Sequence, residues 1–326
     1  MQRRVLLSAA LGTMLLSCGA ADLNAQANDR YPSQPIRVIV PYSAGAGVDI
    51  LTRTIGSKLS DRMGQPVVVE NRPGASGNIG ILAAARSQPD GYTLVMVVNT
   101  FATNAAFNPG AYDPISDFSP IGLVGRNGMV LVANPSIQVN SVEDLIARAK
   151  ANPGKLNYAS VGPGSPQHLG MELFNQAFKV NLFHIPFANA AAANLAVTRG
   201  DVDVMLMPVN VALGPIKSKQ LVPLAVAAPQ RLPELADLKP LAESGAPGFD
   251  VGVWYALLAP AGTSQSITDR VYREIASILL EKDVLEILGK LGIKADPLAS
   301  DEFKTLVKRE HARWTKLVQE TNLKSR

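Results

Sequence analysis

Between residues 36 and 98, three apolar β-branched runs alternate with two segments of helical period. The first run, IRVIV at residues 36 to 40, is short and apolar, as in a strand buried on both faces of a parallel sheet. Residues 49 to 63 put Ile50, Leu51, Ile55 and Leu59 on a helical stripe, and Gly64 stops it. A strand at 66 to 70, a helix at 79 to 87 and a strand at 93 to 98 follow. Parallel neighbours need a crossover, so a β-α-β-α-β order commits this region to a sheet flanked by helices. The grammar then repeats. Strands are expected at 121–124, 129–133, 156–160, 182–185, 202–206, 221–227 and 254–259, with helices at about 142–152, 167–178 and 190–199. Residues 113–120 and 229–248 read as loops, and 267–281 and 303–321 as closing amphipathic helices. The expectation is an α/β fold of two lobes, each with a mostly parallel sheet. Residues 28–125 and 251–326 would form one lobe and 126–250 the other, a division that suits 326 residues.

Residues 1–27 read as a signal peptide. Arg3 and Arg4 precede an apolar stretch at residues 5 to 16, and the small-residue site Ala25-Gln26-Ala27 follows. The stretch is too short to span a membrane. The chain has one cysteine, Cys18, and Leu15-Leu16-Ser17-Cys18 also reads as a lipobox. Release after Ala27 and lipidation at Cys18 both stand as expectations. A cut after Ala27 removes the only thiol, and with it disulfides and thiolate metal sites. The expected location is the periplasm. Thirty-one basic and 27 acidic residues are scattered without a Lys/Arg block, which disfavours nucleic acid as a partner.

The first strand runs through Pro41 and Tyr42 into Ser43-Ala44-Gly45-Ala46-Gly47 and then a helix. Amides at a helix N-terminus lack intrahelical partners and carry the positive end of the dipole. Small residues let a ligand approach that backbone. In the second half, Ser160-Val161-Gly162-Pro163-Gly164-Ser165 stands in the same context, with His168 just beyond. Each loop alone also reads as a tight turn. Two, one per lobe, would make a clamp for a carboxylate. Gly45-Ala46-Gly47 is a G-x-G and Glu70 ends the next strand, but Ile50 occupies the third glycine position of a dinucleotide fingerprint. No Walker lysine follows.

A serine nucleophile needs a base and an orienting acid. The histidines are His168, His184 and His311. His311 reads as a solvated helix residue and His184 as a satisfied strand residue. His168 divides between donating to an anion and organising its loop. Asp201 and Asp203 read as turn chemistry. There is no G-x-S-x-G elbow and no zinc spacing, so no catalytic residue, metal or cofactor is assigned.

The chain resembles the Bug family, the solute-binding receptors of tripartite tricarboxylate transporters. The resemblance runs from Tyr31-Pro32-Ser33-Gln34-Pro35-Ile36-Arg37 through Val68-Val69-Glu70-Asn71-Arg72-Pro73-Gly74, Gly77-Asn78-Ile79-Gly80 and Pro89-Asp90-Gly91-Tyr92-Thr93-Leu94. It continues in Leu156-Asn157-Tyr158, His168-Leu169, His184-Ile185-Pro186, Trp254-Tyr255 and Leu258-Ala259-Pro260-Ala261-Gly262-Thr263. It implies a type II periplasmic binding protein, a Venus flytrap that is a monomer and no enzyme, closing on a small carboxylate for a membrane permease. A sensor that presents the carboxylate to a signalling partner and a secreted hydrolase are the alternatives. The implied ligand residues are Tyr42, Ser43, Ala44, Gly45, Ala46 and Gly47 opposite Ser160, Val161, Gly162, Gly164, Ser165 and His168. Ser76, Gly77, Asn78, Asn99 and Thr100 would line the first lobe. Asp49, on the family pattern, would tie the loop to the first helical turn. The family often has polar residues where this chain has Phe187-Ala188-Asn189 and Met207-Pro208. Those departures point to a carboxylate with an apolar or aromatic remainder, packed by Phe187 and Met207.

Overall fold

The computed structural model describes residues 31 to 321. The expected leader, with Cys18 and Ala27, lies outside the described residues. β1 (Ile36–Val40), α1 (Gly47–Met63), β2 (Val67–Asn71), α2 (Asn78–Ala85) and β3 (Thr93–Val98) form in the order the sequence sets. A helix follows at once, α3 (Thr100–Phe107), and then the long strand β4 (Phe118–Asn127). Next come β5 (Met129–Ala133), α4 (Val142–Ala151), β6 (Asn157–Ser160), α5 (Pro166–Phe178), β7 (Phe183–Pro186), α6 (Ala190–Arg199) and β8 (Val204–Pro208). α7 (Val209–Lys217) and β9 (Val222–Val226) complete this half. The chain closes with β10 (Val253–Pro260), α8 (Gln265–Ile278), α9 (Lys282–Lys290), β11 (Lys294–Ala299) and α10 (Ser300–Thr321).

Two sheets result. One has the order β11-β4-β10-β3-β1-β2, the other β7-β6-β8-β5-β9. In the first, β1, β2, β3 and β4 share a direction and β10 and β11 oppose it. In the second, only β5 opposes the other four strands. Both sheets are therefore mixed rather than mostly parallel: among the described residues, four of the nine neighbouring pairs run parallel and five antiparallel, because β5, β10 and β11 run against the strands they join.

Helices cover both faces of each sheet, so alternate residues of one strand enter different cores. Val38 and Leu94 pack on one side of the first sheet, Ile39 and Val95 on the other. Leu131, Tyr158 and Leu206 pack on one side of the second, Val130, Met205 and Met207 on the other. Each such side chain contributes about 1.5–3 kcal/mol by leaving water.

The chain changes sheet through Gly128, between the end of β4 and the start of β5. It returns alongside: a Cβ on Gly252 would lie 2.9 Å from the Asn127 carbonyl, so only glycine fits. The last helix serves both halves. Phe303 and Val307 enter a core of the first sheet, whereas Trp314 and Leu317 enter a core of the second. Twenty-two residues at about 1.5 Å each reach further than one lobe. Arg313 Nη1 donates to the Asp250 carbonyl at 2.7 Å, pinning this helix to the returning segment.

Candidate functional site

The first glycine loop is exposed at Ser43, Ala44, Gly45 and Gly47 and half-exposed at Ala46. α1 is entered through Ala46, which has no side chain to cap it. Among the described residues, the amides of Ala44, Gly47 and Val48 have no hydrogen-bond partner. The loop is shaped from beneath. Gly45, at φ +80°, donates its amide to Asp49 Oδ2 at 2.8 Å. Asp49 is 3% exposed and also receives Arg53 Nε at 3.0 Å and Asn71 Nδ2 at 2.9 Å. Arg53 balances the acid.

A second strip of the same half joins this loop. Tyr42 hydrogen-bonds Thr100 through their hydroxyls at 2.6 Å. Burial pushes Tyr42 up to about 12, against the opposing pull of that bond, so it is a neutral phenol. Ser76 is exposed at φ +55°, Gly77 is buried against Pro41 and Tyr42, and Asn78 is half-buried. Asn104 holds them together, donating Nδ2 to the Ser76 carbonyl at 2.8 Å and to Asn78 Oδ1 at 3.1 Å. The sequence reading missed Asn104; it lies on α3, a helix that reading did not expect. Asn99 is 3% exposed and turned to the crossing, donating Nδ2 to the Gly252 carbonyl at 2.9 Å.

The second glycine loop is organised differently. Ser160 is fully buried, with its Oγ 2.6 Å from His184 Nε2 and accepting the Gly162 amide at 3.0 Å. Ser165 caps α5, receiving the His168 amide at 3.3 Å and donating to the Gly162 carbonyl at 2.7 Å. The Gly164 amide donates to His168 Nδ1 at 3.2 Å. Val161 is half-exposed. The rings of His168 and His184 lie 4.3 Å apart, and His184 stacks on Tyr158 at 5.0 Å. Burial, then the neighbouring imidazole, pushes His168 down to about 4, and burial also lowers His184. His168 thus organises the loop.

One bond links the two sets. Thr103 Oγ1 of α3 donates to the Gly164 carbonyl at 3.4 Å. Phe187 is half-exposed beside the second loop, its amide on the Ser160 carbonyl at 2.9 Å. Met207 lies behind this region, in the core against which Val161 and Phe187 pack, and does not reach its surface. It is fully buried in the core with Met205 and Val130, because its strand is covered on both faces. His311 is not simply solvated; it is half-buried, its Nδ1 3.4 Å from the Ala102 carbonyl. Asp203 receives the Asn157 amide at 2.8 Å, as turn chemistry requires.

Chemically, the first loop presents backbone donors that have no partner among the described residues. The Ser160–His184 contact has a nucleophile and a base, but Ser160 is inaccessible and no acid contacts His184 among the described residues. No group of three or more His, Cys, Asp or Glu residues could hold a metal among the described residues. A cavity of about 660 Å³ lies elsewhere, behind the crossing, lined by Asn127, Asn210, Gly252, Trp254 and Arg309. Its volume is large, but none of the residues of the two glycine loops lines it. The unpartnered amides of the first loop lie apart from that cavity.

The profile described as "Tripartite tricarboxylate transporter family receptor" matches residues 51–323. BugT of Bordetella pertussis is 34% identical over 98% of this chain and 98% of its own. The periplasmic binding protein BugD is 30% identical, with a TM-score of 0.74 over 90% of this chain and 99% of that one. The R. palustris protein Rpa4515, solved with adipate, is 30% identical with a TM-score of 0.75 over 89% of this chain and 97% of that one. The chain belongs to the tripartite tricarboxylate transporter receptor family, the Bug-like periplasmic solute-binding proteins.

Proposed function

We propose that this chain captures a small carboxylate with an apolar body between its lobes and delivers it to a tripartite tricarboxylate transporter permease. The observation that carries the reading is the uncapped start of α1, where the Ala44, Gly47 and Val48 amides have no partner among the described residues. An anion there gains about 0.3–1 kcal/mol from the helix dipole, and about 2 if partly buried. The small-residue loop keeps side chains out of its way. Residues 28–125 with 251–326, and residues 126–250, would act as the two lobes, moving about Gly128, Gly252 and α10, whose Trp314 and Leu317 seat in a core of the second sheet. Contacts made to both lobes at once would stabilise the closed state. Phe187 supplies an apolar wall beside the second loop, and adipate in Rpa4515 has an apolar middle of the kind such a wall suits.

The test is a thermal-shift panel on protein refolded to strip bound solute. The panel contains adipate, malate, citrate, phenylacetate and their amides. Stabilisation by acids and not by amides is expected. Stabilisation by amides alone would mean that the loops hold a neutral group.

A further inference from the structure

A loop that holds a carboxylate must aim hydrogen-bond donors at it. The second glycine loop has the donors but aims them inward. The Gly164 amide is taken by His168 Nδ1 at 3.2 Å. A backbone amide can only donate, so that nitrogen is bare and His168 is the neutral Nε2–H tautomer. The Gly162 amide is taken by Ser160 Oγ at 3.0 Å, and the Ser165 amide by the Gly162 carbonyl at 3.2 Å. Ser160 Oγ lies 2.6 Å from His184 Nε2, and with the serine donating that nitrogen is bare as well. Two imidazoles therefore occupy donors that an anion would need.

We propose that His168 and His184 are positioning residues whose protonation turns this loop toward the ligand, so that the receptor takes up a proton when it captures a carboxylate. The inference rests on the carboxylate reading above. The proton comes from solvent and adds to a bare imidazole nitrogen; no other bond forms or breaks covalently. On His184, the imidazolium donates Nε2–H to Ser160 Oγ, and the serine's own hydrogen turns to the Gly162 carbonyl at 3.3 Å, in competition with the Ser165 hydroxyl, which is then free to donate to the carboxylate. On His168, a proton at Nδ1 displaces the Gly164 amide, which is then free to donate. With the rings 4.3 Å apart, a second charge would meet the first, so one proton is taken per ligand.

The groups facing the pair are few. β6 brings Tyr158 and Ser160, α5 brings Glu172, and the first lobe brings the Thr103 hydroxyl. Glu172 is engaged by the Tyr158 hydroxyl at 2.6 Å and by Asn175 Nδ2 at 3.4 Å. The pair is held neutral by burial, and by the second ring in the case of His168. A carboxylate arriving at the loop supplies the missing negative charge and favours the imidazolium. By reciprocity, lower pH then favours the carboxylate.

The test is calorimetry on the intact protein with adipate and with phenylacetate, at pH 5.5 and 8.0, in pairs of buffers of different ionisation enthalpy. Proton uptake approaching one at pH 5.5, little at pH 8.0, and a Kd about tenfold lower at pH 5.5 are expected; tenfold is what a bound-state imidazole titrating about one unit above pH 5.5 gives. Titration of the acid itself would release protons on binding, the opposite sign. His184→Gln and His168→Gln, which keep hydrogen-bonding groups but do not titrate, should each flatten the profile. Binding without proton uptake, equally tight at both pH values, overturns the coupling and leaves the carboxylate reading standing. Failure of every acid to bind at either pH overturns both.

Discussion

The Asp49 carboxylate receives the Gly45 amide at 2.8 Å, so a buried acid shapes the loop proposed to hold another acid. Burial alone would raise the Asp49 carboxyl, but the bonds from Arg53, Gly45 and Asn71 outweigh it and hold it below its usual range. Asp49→Asn should cost about 1–3 kcal/mol, with Arg53 left unpaired, and should weaken acid binding. The pH dependence has a definite sign. A depressed folded-state value contributes stability above the unfolded value of 3.8 and loses it as pH falls through the folded one. The stability gap between wild type and Asp49→Asn, measured by urea unfolding, should stay level from pH 8 to 5 and shrink below 3.8. A gap that persists at the lowest pH would assign the loss to something other than the carboxylate.

Asn104 should matter for binding more than for folding. It spans Ser76 and Asn78 from α3, and Ser76 sits at φ +55°, a conformation that costs a residue with a side chain of order 1 kcal/mol or more. Asn104→Ala releases that strip and should lower acid affinity about tenfold. Ser76→Gly fits the backbone and should leave stability within about 1 kcal/mol of wild type. Ser76→Val should lose about 1–3 kcal/mol, since a branched side chain fits φ +55° worst. Titration calorimetry and urea unfolding on the three variants separate the two effects. Equal losses in all three would show that the strip is merely structural.

Gly80 fixes α2 to the end of β1. A Cβ there would lie 2.9 Å from the Arg72 carbonyl and 2.9 Å from Pro41 Cα, both backbone atoms. Neither can give way without moving the strand that leads into the first glycine loop. Gly80→Ala should therefore cost about 1–3 kcal/mol despite better helix propensity. An unchanged or higher melting temperature would mean that α2 slides easily and does not brace the loop.

Where the sequence was legible, local chemistry agreed with tertiary need. β1, β3 and α6 fall at residues 36–40, 93–98 and 190–199, as read, and α6 is bounded by the Asn189 cap and Gly200. Of the elements missed, α9 is merely absorbed into the stretch after the helix read at 267–281, and the other three carry contrary local signals. α3 begins at Asn99 without a side-chain cap, α7 contains Pro215, and β11 contains Pro297 at a bulged sheet edge. Both glycine loops could be located from composition, and so could the tie from Asp49. What each donor points at was not legible. Gly164 turns to His168 because the ring folds back over the loop, and Asn104 meets Ser76 from 28 positions away.

Met207 and Phe187 were paired by the sequence as the apolar side of a ligand pocket, and the structure separates their expected effects. Met207 is fully buried among core residues, so Met207→Ala should cost about 2–5 kcal/mol and leave the order of preference among acids unchanged. Phe187 is half-exposed, and its amide bonds the carbonyl of Ser160 at 2.9 Å. Phe187 packs on the edge of the core that holds Met207, so Phe187→Ala trims that edge and removes a wall beside the loop. It should cost less stability than Met207→Ala, while the Kd for phenylacetate and adipate rises about tenfold and that for malate changes little. Comparing ratios of affinities, rather than affinities, keeps the result independent of any general loosening of the lobe. A variant that weakens all three acids in proportion would place the apolar part of the ligand away from Phe187.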